Sequence, residues 1–246
     1  MAQLQVKHIS KSFGDKQVLE DICLSLKEGE IVSLLGVSGA GKTTLFNIIS
    51  GIMEPDQGEI VLEGETITGR AGHISYMLQK DLLLPFKTIE ENVALPLIIK
   101  GRKKKQAIQM VQPYFSQFGL EGTQKQYPNE LSGGMKQRAA LLRTYLFDTG
   151  IALLDEPFSA LDTITKSALH KWYLQIMEEI KLSTIFITHD MEEAIFLSDR
   201  IYLLSGAPGR ITKEIVIEEK KPRREEFKLS EKFLEYKRSI IVGLNE

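Results

Sequence analysis

Four apolar runs limit what this chain can fold into: "IVSLL" (31–35), "IALL" (151–154), "TIFIT" (184–188) and "IYLL" (201–204). Polar residues scarcely interrupt them. A strand of that composition is buried on both faces, as in a parallel sheet covered by helices. Helical patterns fall between the runs, over 43–50, 164–181 and 191–197. The alternation predicts an α/β core. Three further segments, "LQVKHI", "ICLSL" and "EIVLEG", alternate apolar and polar residues and predict half-buried antiparallel strands near the front of the chain. Within this alternation Cys23 reads as a buried small apolar residue.

The 246 residues suit one large domain or a core with inserted subdomains. A formal net charge of -2 argues against a general electrostatic grip on nucleic acid or anionic lipid. The single cysteine excludes an intrachain disulfide and fits a reducing compartment. The start, "MAQLQVKHISKSFG", has no apolar signal-peptide core. The run from Val93 to Ile99 is interrupted by Pro96, and no run is long enough to span a bilayer, so a membrane role is expected to be peripheral. Residues 88 to 147 carry helical periodicity instead of β-branched runs. In 103–118, Ala107, Met110, Val111, Tyr114, Phe115 and Phe118 share one face, Gly119 supplies a C-terminal cap, and Pro113 predicts a kink or two shorter helices. The basic cluster "KGRKKK" (100–105) reads as a solvated loop and helix start. The tail beyond 218, dense in both signs of charge, reads as a surface helix or docking segment.

The run 31–35 leads into "GVSGAGKTT", in which Gly36, Gly41, Lys42 and Thr43 fit the phosphate-binding pattern G-x-x-x-x-G-K-[ST]. A loop without β-carbons can wrap a crowded triphosphate and aim backbone N–H groups at it, and the following helix adds its positive end. Lys42 supplies a mobile charge to the β- and γ-phosphates, and Thr43 offers a hydroxyl to Mg²⁺. The run 151–154 ends in two acids. Asp155 is placed to hold Mg²⁺ and Glu156 to polarise an attacking water. In "LSGGMKQR" (131–138), Ser132 is a good helix N-cap, and Met135, Ala139, Leu142 and Leu146 predict a buried helix behind it. An open helix N-terminus led by serine is a second phosphate site.

Taken together, these motifs resemble the ATP-binding cassette (ABC) ATPases, in order and over nearly the whole chain. The resemblance implies a P-loop NTPase (RecA-like) parallel-sheet core with an antiparallel β subdomain and an inserted α-helical subdomain. It sets the ATPase domain at 1–218, the helical insertion at about 88–147, and a charged C-terminal segment at 219–246. Phe13 in "KSFG" matches the aromatic that stacks on adenine. Gln79 in "SYMLQKD" matches the glutamine that contacts Mg²⁺ and the attacking water. "LSGGMKQR" matches the family signature, "SALD" (159–162) the D-loop, and His189 in "FITHD" the switch histidine at the γ-phosphate. Gly36, Ser38, Gly39, Gly41, Lys42, Thr43 and Thr44 are the implied nucleotide-binding loop. Ser132 and Gly134 are implied to reach the nucleotide of a second copy across a head-to-tail dimer. Departures from the family pattern are mild: Val37 where proline is frequent, Ala40 where serine is, Thr43 for the more usual serine, and Phe13 for the common tyrosine. None removes a catalytic group.

A single cassette without membrane helices resembles a stand-alone importer subunit. "LLLPFKTIEENVALPL" (82–97) and "SGAPGRI" with "KKPRREEF" resemble the nitrate/sulfonate/taurine group, which includes cassettes for thiamine-precursor pyrimidines. The implied cofactors are ATP and Mg²⁺. The implied partners are a second copy, integral membrane permease subunits and, indirectly, an extracytoplasmic solute-binding protein, with no nucleic acid. The implied location is the cytoplasmic face of the plasma membrane. The stretch 82–99 reads as core or as a groove for a helix of a membrane partner. The competing reading is a non-transport ABC ATPase acting on a soluble protein or nucleic acid. A GTPase switch is disfavoured because no Asn-Lys-x-Asp motif is present.

Overall fold

A computed structural model describes residues 2–159, 163–221 and 223–244. Two sheets organise it. The first is antiparallel, ordered β2 (Lys16–Lys27), β1 (Ala2–Phe13), β4 (Gln57–Leu62), β5 (Glu65–Thr66). The second is ordered β10 (Arg210–Val216), β9 (Arg200–Ser205), β3 (Ile31–Gly36), β8 (Ser183–Thr188), β7 (Ile151–Asp155), β6 (Ser75–Met77). All its pairings are parallel except the edge hairpin of β9 and β10. The four apolar runs are its central strands, as their composition predicts.

The reason for that composition lies in two cores. Val32, Leu34, Ile151, Leu153, Ile185 and Ile187 face the antiparallel sheet and helix α1 (Lys42–Ile49). The alternate residues Leu35, Ala152, Leu154, Phe186 and Leu203 face the other side. There they share a core with residues of α5 (Gly133–Tyr145), α6 (Thr163–Ile180) and α7 (Met191–Leu197). Because both faces of each strand are buried, no position is left for polar alternation.

Between β6 and β7 the chain is helical: α2 (Ile89–Val93), α3 (Leu95–Ile99), α4 (Lys104–Gln117) and α5. Thr88 starts α2 with a reciprocal capping box to Glu91. Gly119 closes α4 at φ +64°, with the Leu120 N–H on the Phe115 carbonyl at 2.7 Å. Two expectations fail here and in the first sheet, and one alternative of a third is excluded. Pro113 does not split its segment into two shorter helices, because α4 runs through it as one helix. Met110 is 42% exposed, since Ala107, Val111 and Phe115 fill the buried face. Cys23 is exposed, because Ile22 and Leu24 take the inward positions of β2 on either side of it.

The charged tail packs on the core instead of standing free. Helix α8 (Glu231–Leu244) buries Phe233 and Ile240, and Arg223 is buried ahead of it. Residues 101 to 106 are exposed, in keeping with a solvated loop and helix start. Among the described residues, no helix is long and apolar enough to cross a membrane.

Candidate functional site

The loop between β3 and α1 packs so tightly that glycine is forced at two positions. A β-carbon on Gly36 would meet the Leu204 carbonyl oxygen at 2.3 Å, so this residue lets β3 lie against β9. Gly41 sits at φ +94°, and its β-carbon would meet Leu19 Cδ2 at 2.7 Å. Gly41 also starts α1 and provides no side-chain cap, so the leading N–H groups of the helix remain for a ligand. Lys42 folds back over the loop, and its Nζ donates to the Gly36 and Val37 carbonyls, both at 2.8 Å. Burial pushes the Lys42 ammonium below its ordinary pKa, and the nearby Glu156 and Asp155 carboxylates partly offset this.

The ends of neighbouring strands bring acids to the same place. Asp155 closes β7, and its Oδ2 accepts from Thr43 Oγ1 at 3.4 Å. Burial raises the Asp155 carboxyl above its usual range, and Glu156 beside it raises it further. Glu156 follows at φ +46°, a left-handed conformation that is strained for a residue with a side chain. That turn aims its carboxylate between two groups from other elements. Gln79 Nε2 donates to Oε2 at 3.0 Å, and His189 Nδ1 lies 3.2 Å from Oε1.

Ser38, Gly39, Gly41, Lys42, Thr43, Thr44, Gln79, Asp155, Glu156 and His189 therefore line a single cleft of about 580 Å³, with Val18 and Ile187. The remaining expected residues lie elsewhere. Gly36 sits beneath the loop. Phe13 ends β1 and is 49% exposed, outside the cleft lining. Ser132 and Gly134 stand at the start of α5, also outside it. The Ser132 hydroxyl caps that helix by accepting from the Met135 N–H at 3.3 Å. Of the D-loop motif, Ala160, Leu161 and Asp162 lie outside the described residues.

Two supports behind the site have no local sequence signal. Arg143 of α5 donates to the carbonyls of Asp81 (2.5 Å) and Leu82 (2.8 Å), tying the segment after Gln79 to the helix that Ser132 caps. Beneath His189, Glu193 accepts from Thr188 Oγ1 at 2.6 Å and from Lys166, which also reaches Asp190 at 3.0 Å. Both depend on residues distant in the chain, which motif spacing does not register.

Hard oxygen donors from Thr43, Asp155 and Gln79 beside the half-buried Glu156 carboxylate suit a small divalent cation such as Mg²⁺. A lysine and an uncapped helix start suit a polyphosphate, and a carboxylate held between an amide and an imidazole suits the activation of water.

Comparison with known proteins agrees with this chemistry. The family model for ABC transporters matches residues 19–159. The aliphatic sulfonates import ATP-binding protein SsuB of Bacillus cereus is 42% identical over 96% of this chain and 91% of its own. The formylaminopyrimidine import ATP-binding protein ThiZ of Halalkalibacterium halodurans is 47% identical over 78% of this chain and 74% of its own. The taurine import ATP-binding protein TauB of Escherichia coli O157:H7 is 39% identical over 86% of this chain and 83% of its own. Among solved structures, a dimeric ATP-binding cassette in a post-hydrolysis state with ADP and Pi bound superposes with a TM-score of 0.74. It is 29% identical and covers 88% of this chain and 100% of its own. Family match, relatives, fold and cleft agree: the chain belongs to the ABC transporter family, among its ATP-binding, ATP-hydrolysing subunits.

Proposed function

We propose that this protein hydrolyses ATP to energise an importer of the nitrate/sulfonate/taurine group, which includes thiamine-precursor carriers. The observation that carries the reading is the cleft itself: Lys42, Thr43, Gln79, Asp155, Glu156 and His189, from separate elements, share one lining. The relatives named for import of sulfonates, taurine and formylaminopyrimidine support the transport assignment.

ATP is the substrate. Backbone N–H groups of the loop from Ser38 to Thr44 and the start of α1 hold its phosphates. Lys42 exchanges its loop carbonyls for β- and γ-phosphate oxygens. Thr43, Asp155 and Gln79 would hold Mg²⁺, which when bound neutralises charge building on the phosphate oxygens. Glu156 accepts the proton of the attacking water. Gln79 and His189, on its two carboxylate oxygens, fix its direction, and His189 contacts the γ-phosphate. Phe13 offers its exposed ring to adenine by stacking.

Ser132 and Gly134 act in trans. A β-carbon on Gly134 would meet Thr165 Cγ2 only at ordinary contact distance, 3.4 Å, so packing within the chain does not demand glycine there. Close approach of another molecule's phosphates does. The dimeric cassettes among the structural relatives support a head-to-tail pair. An apolar groove of about 380 Å³, lined in part by Ile52, Ala71, Leu95, Pro96, Ile99 and Phe147, would receive a helix of the membrane permease. The chain then works at the cytoplasmic face of the membrane, with an extracytoplasmic solute-binding protein choosing the cargo.

The test is Glu156→Gln. Glutamine keeps the shape but cannot take the proton, so ATP should bind while hydrolysis falls about 10²- to 10⁴-fold. Size-exclusion chromatography with ATP should show the variant as a dimer. Undiminished turnover would remove Glu156 from its role, and a monomer at every ATP and protein concentration would remove the shared-site arrangement.

A further inference from the structure

Two of the four irregularities in the pairing of β1 with β2 meet at Ile9, one on each strand. Val6 pairs with Leu24 and Ile9 with Ile22, so β1 carries one extra residue in that interval. Ile9 pairs with Ile22 and Lys11 with Leu19, so β2 carries the extra residue in the next. His8, in the first interval, has φ +51°, and Asp21, in the second, has φ +50°. Both are β-bulges, devices that re-aim side chains. Ile9 and Ile22 between them are fully buried, while His8, Asp21 and Cys23 are exposed.

The two bulges gather three different donors. His8 Nδ1 lies 2.7 Å from Asp21 Oδ1 and 3.6 Å from Cys23 Sγ, and all three ligand atoms fall within 4.8 Å of one another. The His8 backbone N–H donates to the same sulfur at 3.3 Å. A Cys–His–Asp proton relay does not fit, because the carboxylate and the thiol face the same ring nitrogen. A relay needs one on each. Convergence on a single point is what a metal ion requires.

We propose that His8, Asp21 and Cys23 form a zinc site, with a fourth position open to solvent. Zinc bonds of about 2.0 Å to nitrogen and oxygen and about 2.3 Å to sulfur place tetrahedral ligands roughly 3.3 to 3.6 Å apart. The nitrogen–sulfur separation already has that length. The nitrogen–oxygen pair opens by roughly half an ångström once the cation replaces the proton between them. Thiolate, imidazole and carboxylate together select zinc over magnesium or calcium, which take oxygen alone. The site shares no residue with the ATP cleft, and it ties the two bulges of the hairpin together.

Cobalt substitution of the reduced full-length protein tests this without reference to ATPase activity. Cys23 is the chain's only thiol, so a thiolate-to-cobalt charge-transfer band can arise nowhere else. One equivalent of Co²⁺ should produce that band with the visible spectrum of a four-coordinate ion, and one equivalent of Zn²⁺ should remove it. Cys23→Ser should abolish the band. His8→Ala and Asp21→Asn should each weaken zinc, measured against a chromogenic chelator, by at least the roughly tenfold that loss of an outer-shell partner costs. All three positions are exposed, and circular dichroism checks that each variant folds. Absence of the band in the wild-type protein overturns the proposal. So does zinc affinity that is the same in wild type and His8→Ala.

Discussion

Replacing Arg223 should cost this protein more stability than replacing any other charged residue of its tail. Arg223 is 5% exposed. Its Nη1 shares two hydrogens among the carbonyls of Ile195 (2.9 Å), Phe196 (3.0 Å) and Ser198 (2.7 Å), and its Nε donates to Glu219 at 2.9 Å. The first three are the terminal carbonyls of α7 and its cap, which have no partner within the helix. A positive charge there also meets the negative end of the helix dipole. Burial pushes the guanidinium down to about 10, so it stays charged at neutral pH. Three acceptors served by one nitrogen count as about two charge-assisted bonds, each worth roughly 1.5–3 kcal/mol when removed, so Arg223→Ala should cost about 3–6 kcal/mol. In a chain of this size that lowers the melting temperature by roughly 6–24 °C. Arg223→Lys keeps the charge without the fork and should fall between. Arg224 is exposed, so Arg224→Ala should stay within about 0.5 kcal/mol of wild type. Scanning calorimetry of the three variants decides it. Equal melting of the Arg223→Ala and Arg224→Ala proteins would refute the account of the tail as a cap on α7.

Gly36→Ala forces a β-carbon to 2.3 Å from the Leu204 carbonyl, where only backbone can yield, and should lower stability by about 3 kcal/mol. An unchanged urea midpoint would show that β3 and β9 separate without strain. For Glu193, burial raises the carboxyl, but hydrogen bonds from His170, Lys166 and Thr188 outweigh it and hold the pKa below the ordinary 4.5. A depressed folded-state pKa stabilises above the unfolded value and is lost as pH falls through the folded one, so Glu193→Gln should flatten the loss of stability below about pH 4.5. A Glu193→Gln protein whose acid limb matches wild type in pH-dependent melts would contradict that.

The fold class and most of the cleft were legible because their causes are local. A strand buried on both faces must be apolar at every position, so 31–35, 151–154, 184–188 and 201–204 announce the central sheet. The loop from Gly36 to Thr43 is compact in sequence because it folds around one strand end. The errors arose where neighbours decided the outcome. Cys23 fits the alternation of a strand, yet the flanking Ile22 and Leu24 take the inward places. Pro113 breaks an isolated helix pattern, yet packing of Val111 and Phe115 against the core holds α4 continuous. Gly36 illustrates a different limit. Its motif predicts a phosphate contact, whereas its lack of a side chain is required by the adjacent strand.

The contacts that sequence could not reveal share a pattern. Arg143 joins α5 to the segment behind Gln79, Lys166 joins α6 to the turn bearing His189, and Arg223 joins the tail to the far end of α7. Each long cation joins two segments through backbone carbonyls or carboxylates, at sequence separations no motif encodes. Arg143 and Lys166 also lie one step behind a cleft residue. Gln79 and His189 hold the two oxygens of Glu156, so displacement of α5 or α6 would reach that carboxylate through its amide or its imidazole. The groove proposed to receive a membrane partner includes Arg143 and Thr144 of α5 in its wall. The residue that fixes the Gln79 segment therefore also lines that groove, so occupation of the groove would reach the aim of Glu156 through one side chain.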